Sequence, residues 1–143
     1  MIDWKDGSSK VSKYFTVKEC LWLPQWNRLA NDTDGLTSQI KANLVNLCQK
    51  MDVVREFFGQ SINVHVTYRP EAYNTLVKGA KASSHVQGMA MDFHVSGIDC
   101  DDARAKLEGQ LNALDMRMEK LPGGNWVHLD TRTPGPSGRY FPV

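Results

Sequence analysis

The hydrophobic period changes between residues 59 and 62, and that change limits the folds open to this chain. Before it, Ile40, Leu44, Leu47, Met51, Val54 and Phe58 recur at steps of four and three, the stripe of an amphipathic helix. Thr37 or Ser38 can cap its start and Gly59 its end. After it, Ile62, Val64, Val66 and Tyr68 alternate with Asn63, His65 and Thr67, the period of a half-buried strand that Arg69-Pro70 ends. A long helix followed directly by a strand excludes an all-helical bundle and an all-β sandwich.

The remaining segments extend this pattern. Upstream, Tyr14-Phe15-Thr16 leads into a segment with Leu21, Trp22 and Trp26, and the first third is expected to be helical, with residues 31–35 as a loop. Trp22 and Trp26 are expected to pack against the long helix rather than bind sugar. Downstream, a short helix over 71–77 precedes a loop over 78–84, and residues 89–95 read as a second strand. Residues 101–114 read as a second helix with Ala103, Leu107, Leu111 and Leu114 inward. Residues 116–120 and 126–131 then flank a Pro-Gly-Gly turn as a hairpin. The prolines and glycines of 133–138 are expected to leave the tail irregular. The expected class is α+β, with helices packed on a small, mostly antiparallel sheet, in one domain over residues 1–143.

Composition narrows the function. Apolar residues make up 41% and charged residues 23%, which argues for an ordered core. A net charge of +1 offers no basic excess to hold nucleic acid or an anionic membrane. Apolar runs are short, so no stable membrane insertion is expected. The start, Met1 to Asp6, is polar and acidic where a signal peptide is basic and then apolar, so synthesis in the cytoplasm is expected, with release or carriage to any outside site. The three cysteines, Cys20, Cys48 and Cys100, are odd in number and widely spaced, unlike a disulfide framework. Cys48 falls in the long helix pattern as a buried thiol, and the lack of a CxxC pair excludes a cysteine-only zinc site.

Histidine and carboxylate spacing points to a metal. A catalytic zinc site takes three protein ligands and leaves one position open. His85 lies in a loop before a strand, and Asp92 lies on that strand; a loop turning back over the strand it enters would bring them together. Gly88 permits a close backbone approach, and Ala90, on the face of Asp92, leaves room. His128, in Trp126-Val127-His128-Leu129-Asp130, is the third candidate.

This pattern resembles the zinc D-Ala-D-Ala carboxypeptidase and L-alanyl-D-glutamate endopeptidase family, which includes bacterial cell-wall peptidases and phage endolysins and shares its fold with hedgehog signalling domains. The family's Ser-x-His, Gly and Ala-x-Asp elements match Ser83-Ser84-His85, Gly88 and Ala90-Met91-Asp92. Its second motif matches Val127-His128-Leu129-Asp130, and Tyr68-Arg69-Pro70, Tyr73-Asn74 and Gly79-Ala80-Lys81 also fit. The resemblance covers nearly the whole chain and implies one zinc ion on His85, Asp92 and His128. It also implies Arg69 on a substrate carboxylate or the developing oxyanion.

Ser83 would hydrogen-bond near the metal or cap its loop. His94 would touch substrate, support a ligand or fill a fourth ligand position, although a hydrogen-bonded surface role suits it and His65 better. Family members carry an acid three residues before the last ligand, or a histidine two before it; here Asn125 and Trp126 stand there, and neither takes a proton from water. Glu119 is the substitute: pairing opposite Trp126 would place it, with Arg117, on the face of His128. The short branch of the family often carries a similar Met-Glu. Asp130 is expected to hold a ligand or Arg132. The expected function is hydrolysis of an amide bond in peptidoglycan stem peptides by a monomer, as a phage endolysin or a virion or prophage wall hydrolase. A non-catalytic zinc-bearing wall-binding or virion module is the alternative, favoured by Asn125.

Overall fold

The computed structural model describes residues 1–142. Thr16 starts helix α1 (Val17–Leu21) with a capping box: its hydroxyl accepts the Glu19 N–H, and the Glu19 carboxylate accepts the Thr16 N–H. The first third is not helical throughout, as its composition had implied. A two-residue antiparallel ladder, β1 (Trp22–Leu23) with β2 (Arg28–Leu29), follows α1 directly. Pro24 explains the difference, because it pushes Leu23 into extended backbone and stops the helix. Trp26 meets Tyr73 edge-on at 5.1 Å, and Trp22 is partly exposed beneath Lys18.

Helix α2 (Ser38–Phe58) runs as its stripe requires. Thr37 caps the start, accepting the Ile40 N–H, and Gly59 ends it in the left-handed region. Leu44, Leu47, Cys48, Met51 and Val54 are fully buried on its inner face. Replacing Leu47 by Ala is expected to cost about 2–5 kcal/mol in chemical denaturation, the range for a buried leucine whose cavity cannot collapse.

Strand β3 (Ile62–Val66), helix α3 (Glu71–Leu76), a 3-10 turn over Ser84–Gln87 and strand β4 (Ala90–Val95) come next. Strand β3 ends before Tyr68 because the Tyr68 N–H turns away to the Cys20 carbonyl. The predicted helix over 101–114 is two pieces, α4 (Cys100–Glu108) and α5 (Leu111–Leu114). Gly109 breaks it; glycine weakens a helix, and here it terminates α4. Ala103, Leu107 and Leu111 remain buried, whereas Leu114 is only partly so.

Strands β5 (Arg117–Glu119) and β6 (Val127–Asp130) form the expected hairpin. The tail is not wholly irregular: β7 (Tyr140–Phe141) pairs parallel to β5. Its prolines lie outside the paired segment, so Arg139 and Phe141 are free to accept from Met118 and Lys120. The sheet runs β3-β4-β6-β5-β7, antiparallel except at its last pair. The fold is α+β. Among the described residues no helix is long and apolar enough to cross a membrane.

Candidate metal centre and its cleft

Sheet register builds the site in two rows. Asp92 on β4 lies opposite His128 on β6, and the β5–β6 register of Arg117 with Asp130 and Met118 with Leu129 carries Glu119 opposite His128 at the next step. In the second row Ala90 lies opposite Asp130, which lies opposite Arg117. The hairpin is therefore offset by two residues from the expected pairing of Glu119 with Trp126. A shift of two keeps the face and moves Glu119 nearer to His128; a shift of one would have reversed it. The small side chain of Ala90 leaves space in the row of the Asp130–Arg117 pair.

His85 arrives from the turn before β4. Ser83 caps that turn, accepting the His85 N–H, and Gly88 closes it at φ +69. A Cβ at Gly88 would stand 3.0 Å from Ile40 Cγ2, so α2 and this turn approach as closely as only glycine permits. The Arg69 N–H donates to the His85 carbonyl, and His85 Nδ1–H donates to the Thr67 carbonyl at 2.7 Å. A carbonyl only accepts, so Nδ1 carries a proton and Nε2 is the nitrogen turned to the site. Nε2 faces Asp92 Oδ2 at 3.2 Å.

His128 stands between two carboxylates. Its Nδ1 is 2.8 Å from Asp92 Oδ1 and its Nε2 is 2.9 Å from Asp130 Oδ2. Asp130 is fully buried and gripped twice by Arg117, Nε to Oδ1 at 2.7 Å and Nη2 to Oδ2 at 2.9 Å; it also accepts the Arg132 N–H. Burial alone would raise the Asp130 pKa, but His128 and Arg117 outweigh it and hold it below the usual carboxylate range. Burial likewise disfavours a charged His128, yet Asp130 and Asp92 raise it to about 9. For Asp92, burial is outweighed by His128 and His85, and its pKa falls well below the ordinary value.

This donor set fits a cation. The ligand atoms of His85, Asp92 and His128 all lie within 4.8 Å of one another. Atoms bound to one tetrahedral zinc at N and O distances stand roughly 3.3 Å apart, close to the two contacts Asp92 makes. His85 Nε2 and Asp92 Oδ2 face each other at 3.2 Å, a contact bridged by a proton on Nε2 or by a cation that both atoms ligate. Asp130 on the far nitrogen of His128, and Thr67 on that of His85, are the outer partners that fix ligand orientation in metal sites.

These groups line a cavity of about 400 Å³ that also holds Arg69, Ser83, Ser84, Glu119, Trp126, Arg132 and Phe141. Arg69 Nε is buried without a hydrogen-bond partner, and burial lowers its pKa. A Cβ at Gly79 would collide with Asn74 Oδ1 and stand 3.2 Å from Arg69 Nη1, so the Gly79-Ala80-Lys81 loop lies directly against this arginine. His94 is not among the residues lining the cavity. It is exposed and meets His65, Nε2 of His65 to Nδ1 of His94 at 2.7 Å.

A family model described as peptidase M15 matches residues 13–130, from before α1 to the end of β6. The chain belongs to the peptidase M15 family. The family's enzymes are zinc peptidases, and the His-Asp-His cluster of this M15 peptidase suits that ion. Comparisons with curated proteins and with solved structures give no match.

Two contributors to the cleft carry little trace in the sequence. Phe141 comes from β7, lies 4.1 Å from the Arg117 guanidinium and meets His128 edge-on. Arg104 is buried in α4 and donates to the Trp126 carbonyl at 2.6 Å and the Gly124 carbonyl at 3.3 Å, fixing the loop that carries Trp126. Its place on the inward stripe between Ala103 and Leu107 was the available sign: a charge there needs buried partners.

Proposed function

We propose that this M15 peptidase hydrolyses an amide bond in peptidoglycan stem peptides, as a monomeric phage endolysin or a virion or prophage wall hydrolase. In that role it would be made in the cytoplasm and act on the wall after release. The observation that carries the reading is the row Asp92–His128–Glu119: it sets a carboxylate beside the metal ligands, in a cleft whose lining also includes a half-buried arginine, Arg69, with an unpartnered Nε.

His85, Asp92 and His128 would hold zinc, which supplies Lewis acidity and acidifies water. Glu119 takes the proton from the attacking water and returns it to the leaving amine. Arg69 binds an anionic oxygen, either the substrate carboxylate or the oxygen that becomes negative as the carbonyl is attacked. Asp130 and Arg117 keep His128 in one orientation. Trp126 and Phe141 form apolar walls that orient the peptide.

Arg69→Ala is expected to lower kcat/KM on a defined stem peptide by about 10–100-fold, the range for a charge-assisted hydrogen bond. A rise in KM alone would assign Arg69 to the ground-state carboxylate, and a fall in kcat to the oxyanion.

Mass spectrometry of purified peptidoglycan incubated with the zinc-loaded protein, with and without a chelator, tests the function. A peptide product that disappears with chelator is expected, and its mass names the bond. No product from folded, zinc-loaded protein would overturn the enzymatic reading. It would favour a non-catalytic wall-binding module, for which Asn125 and Trp126 at the usual base positions are the specific support.

A further inference from the structure

Two of the three thiols meet in the core, far from one another in sequence. Cys20 lies in α1 and Cys48 midway along α2, and their Sγ atoms are 3.4 Å apart. Both are essentially unexposed, whereas Cys100 is only partly buried at the start of α4. A disulfide needs sulfurs roughly 2.0 Å apart, so closing this pair takes a movement of little more than about 1 Å, within reach of side-chain rotation.

We infer that Cys20 and Cys48 are a disulfide site, oxidised by a small-molecule disulfide such as glutathione disulfide once the chain is in an oxidising compartment. One cysteine thiolate attacks the small disulfide and releases one small thiol. The other cysteine then attacks the mixed disulfide and releases the second. The protein gives up two protons and two electrons, and the small disulfide becomes two thiols. Burial shields both sulfurs from solvent, and the neighbouring Cys20 thiol, together with burial, pushes the Cys48 thiol up, so the bond forms as the chain folds or while the core is briefly open.

The link would lie behind the metal ligands. The Cys20 carbonyl accepts the Tyr68 N–H at 3.1 Å, and the neighbouring Glu19 carbonyl accepts the Thr67 hydroxyl at 3.0 Å. Thr67 in turn holds His85 Nδ1. Joining α1 to α2 covalently fixes the support on which His85 rests. The inference does not depend on the proposed reaction, since both sulfurs lie outside the cleft lining.

The test uses the full chain, refolded in a mixture of reduced and oxidised glutathione. Free thiols are alkylated after denaturation, and the protein is digested without reductant. The expected product joins the Cys20 and Cys48 peptides and leaves Cys100 alkylated. The oxidised protein should melt higher than the reduced one by about 10 °C, from the entropy removed by closing a loop of this length. Cys20→Ser should abolish both the link and the difference in melting; if that variant does not fold, the wild-type peptide map decides alone. Alkylation of all three cysteines would overturn the inference. So would a link that includes Cys100, or a Cys20–Cys48 link that lowers the melting temperature.

Discussion

Glu119→Gln is expected to lower turnover of a stem-peptide substrate by about 10²–10⁴-fold, the usual contribution of a general base, with zinc still bound at one equivalent. Gln keeps the shape of Glu and its place on the β5–β6 ladder, but its amide accepts no proton from water at neutral pH. The register decides which carboxylate is available. Asp92 and Asp130 both face His128, and Asp130 is further held by two nitrogens of Arg117. Glu119 lines the same cleft and, among the described contacts, makes no ion pair. Single-turnover kinetics with metal content measured on the same sample separate the base from the ligands. Retained turnover in Glu119→Gln would remove Glu119 from the mechanism.

Asp130→Ala is expected to destabilise the metal-free protein by about 3–5 kcal/mol, the cost of breaking a buried ion pair from one side, and to weaken zinc binding by about 10–100-fold. One carboxylate serves two tasks. It neutralises Arg117, which would otherwise face the cleft with its charge uncompensated, and it holds the far nitrogen of His128. Asp130→Asn should be milder, because its amide oxygen still accepts from one of these donors. Chemical denaturation of the metal-free variants gives the first quantity, and zinc titration against a competing chelator gives the second. Unchanged zinc affinity in Asp130→Ala would show that His128 is oriented by its backbone and by Asp92 alone.

The parts of this fold that were legible in the sequence are those fixed by local chemistry. Thr37 and Gly59 bound α2 because a cap and a left-handed stop act within a turn of their own residues. The side-chain period of two put Asp130 on the face of His128 and Ala90 on that of Asp92; Glu119 joined them only through an expected pairing with Trp126, and the observed offset, being even, kept it on that face. What escaped depends on contacts between distant segments. The hairpin offset follows from a long Pro-Gly-Gly connection held by Arg104, which lies on another element altogether. The β7 pairing is masked by prolines and glycines that precede it. The contact of Cys20 with Cys48 follows from how α1 lies on α2, which no spacing reveals.

The position of Phe141 has a consequence for how such a cleft diversifies. The metal ligands belong to inner strands and to a turn wedged against α2, where any change disturbs many neighbours at once. One of the two aromatic walls, Phe141, belongs to β7, a two-residue strand at the sheet margin that pairs with β5 alone. Phe141 touches both His128 and the Arg117 that grips Asp130, so exchanging that marginal segment is expected to change the fit of a peptide and the support of His128 together. One marginal residue thus couples the cleft wall to a ligand's support, and a graft of residues 133–142 is expected to keep that support where it keeps an aromatic residue at position 141.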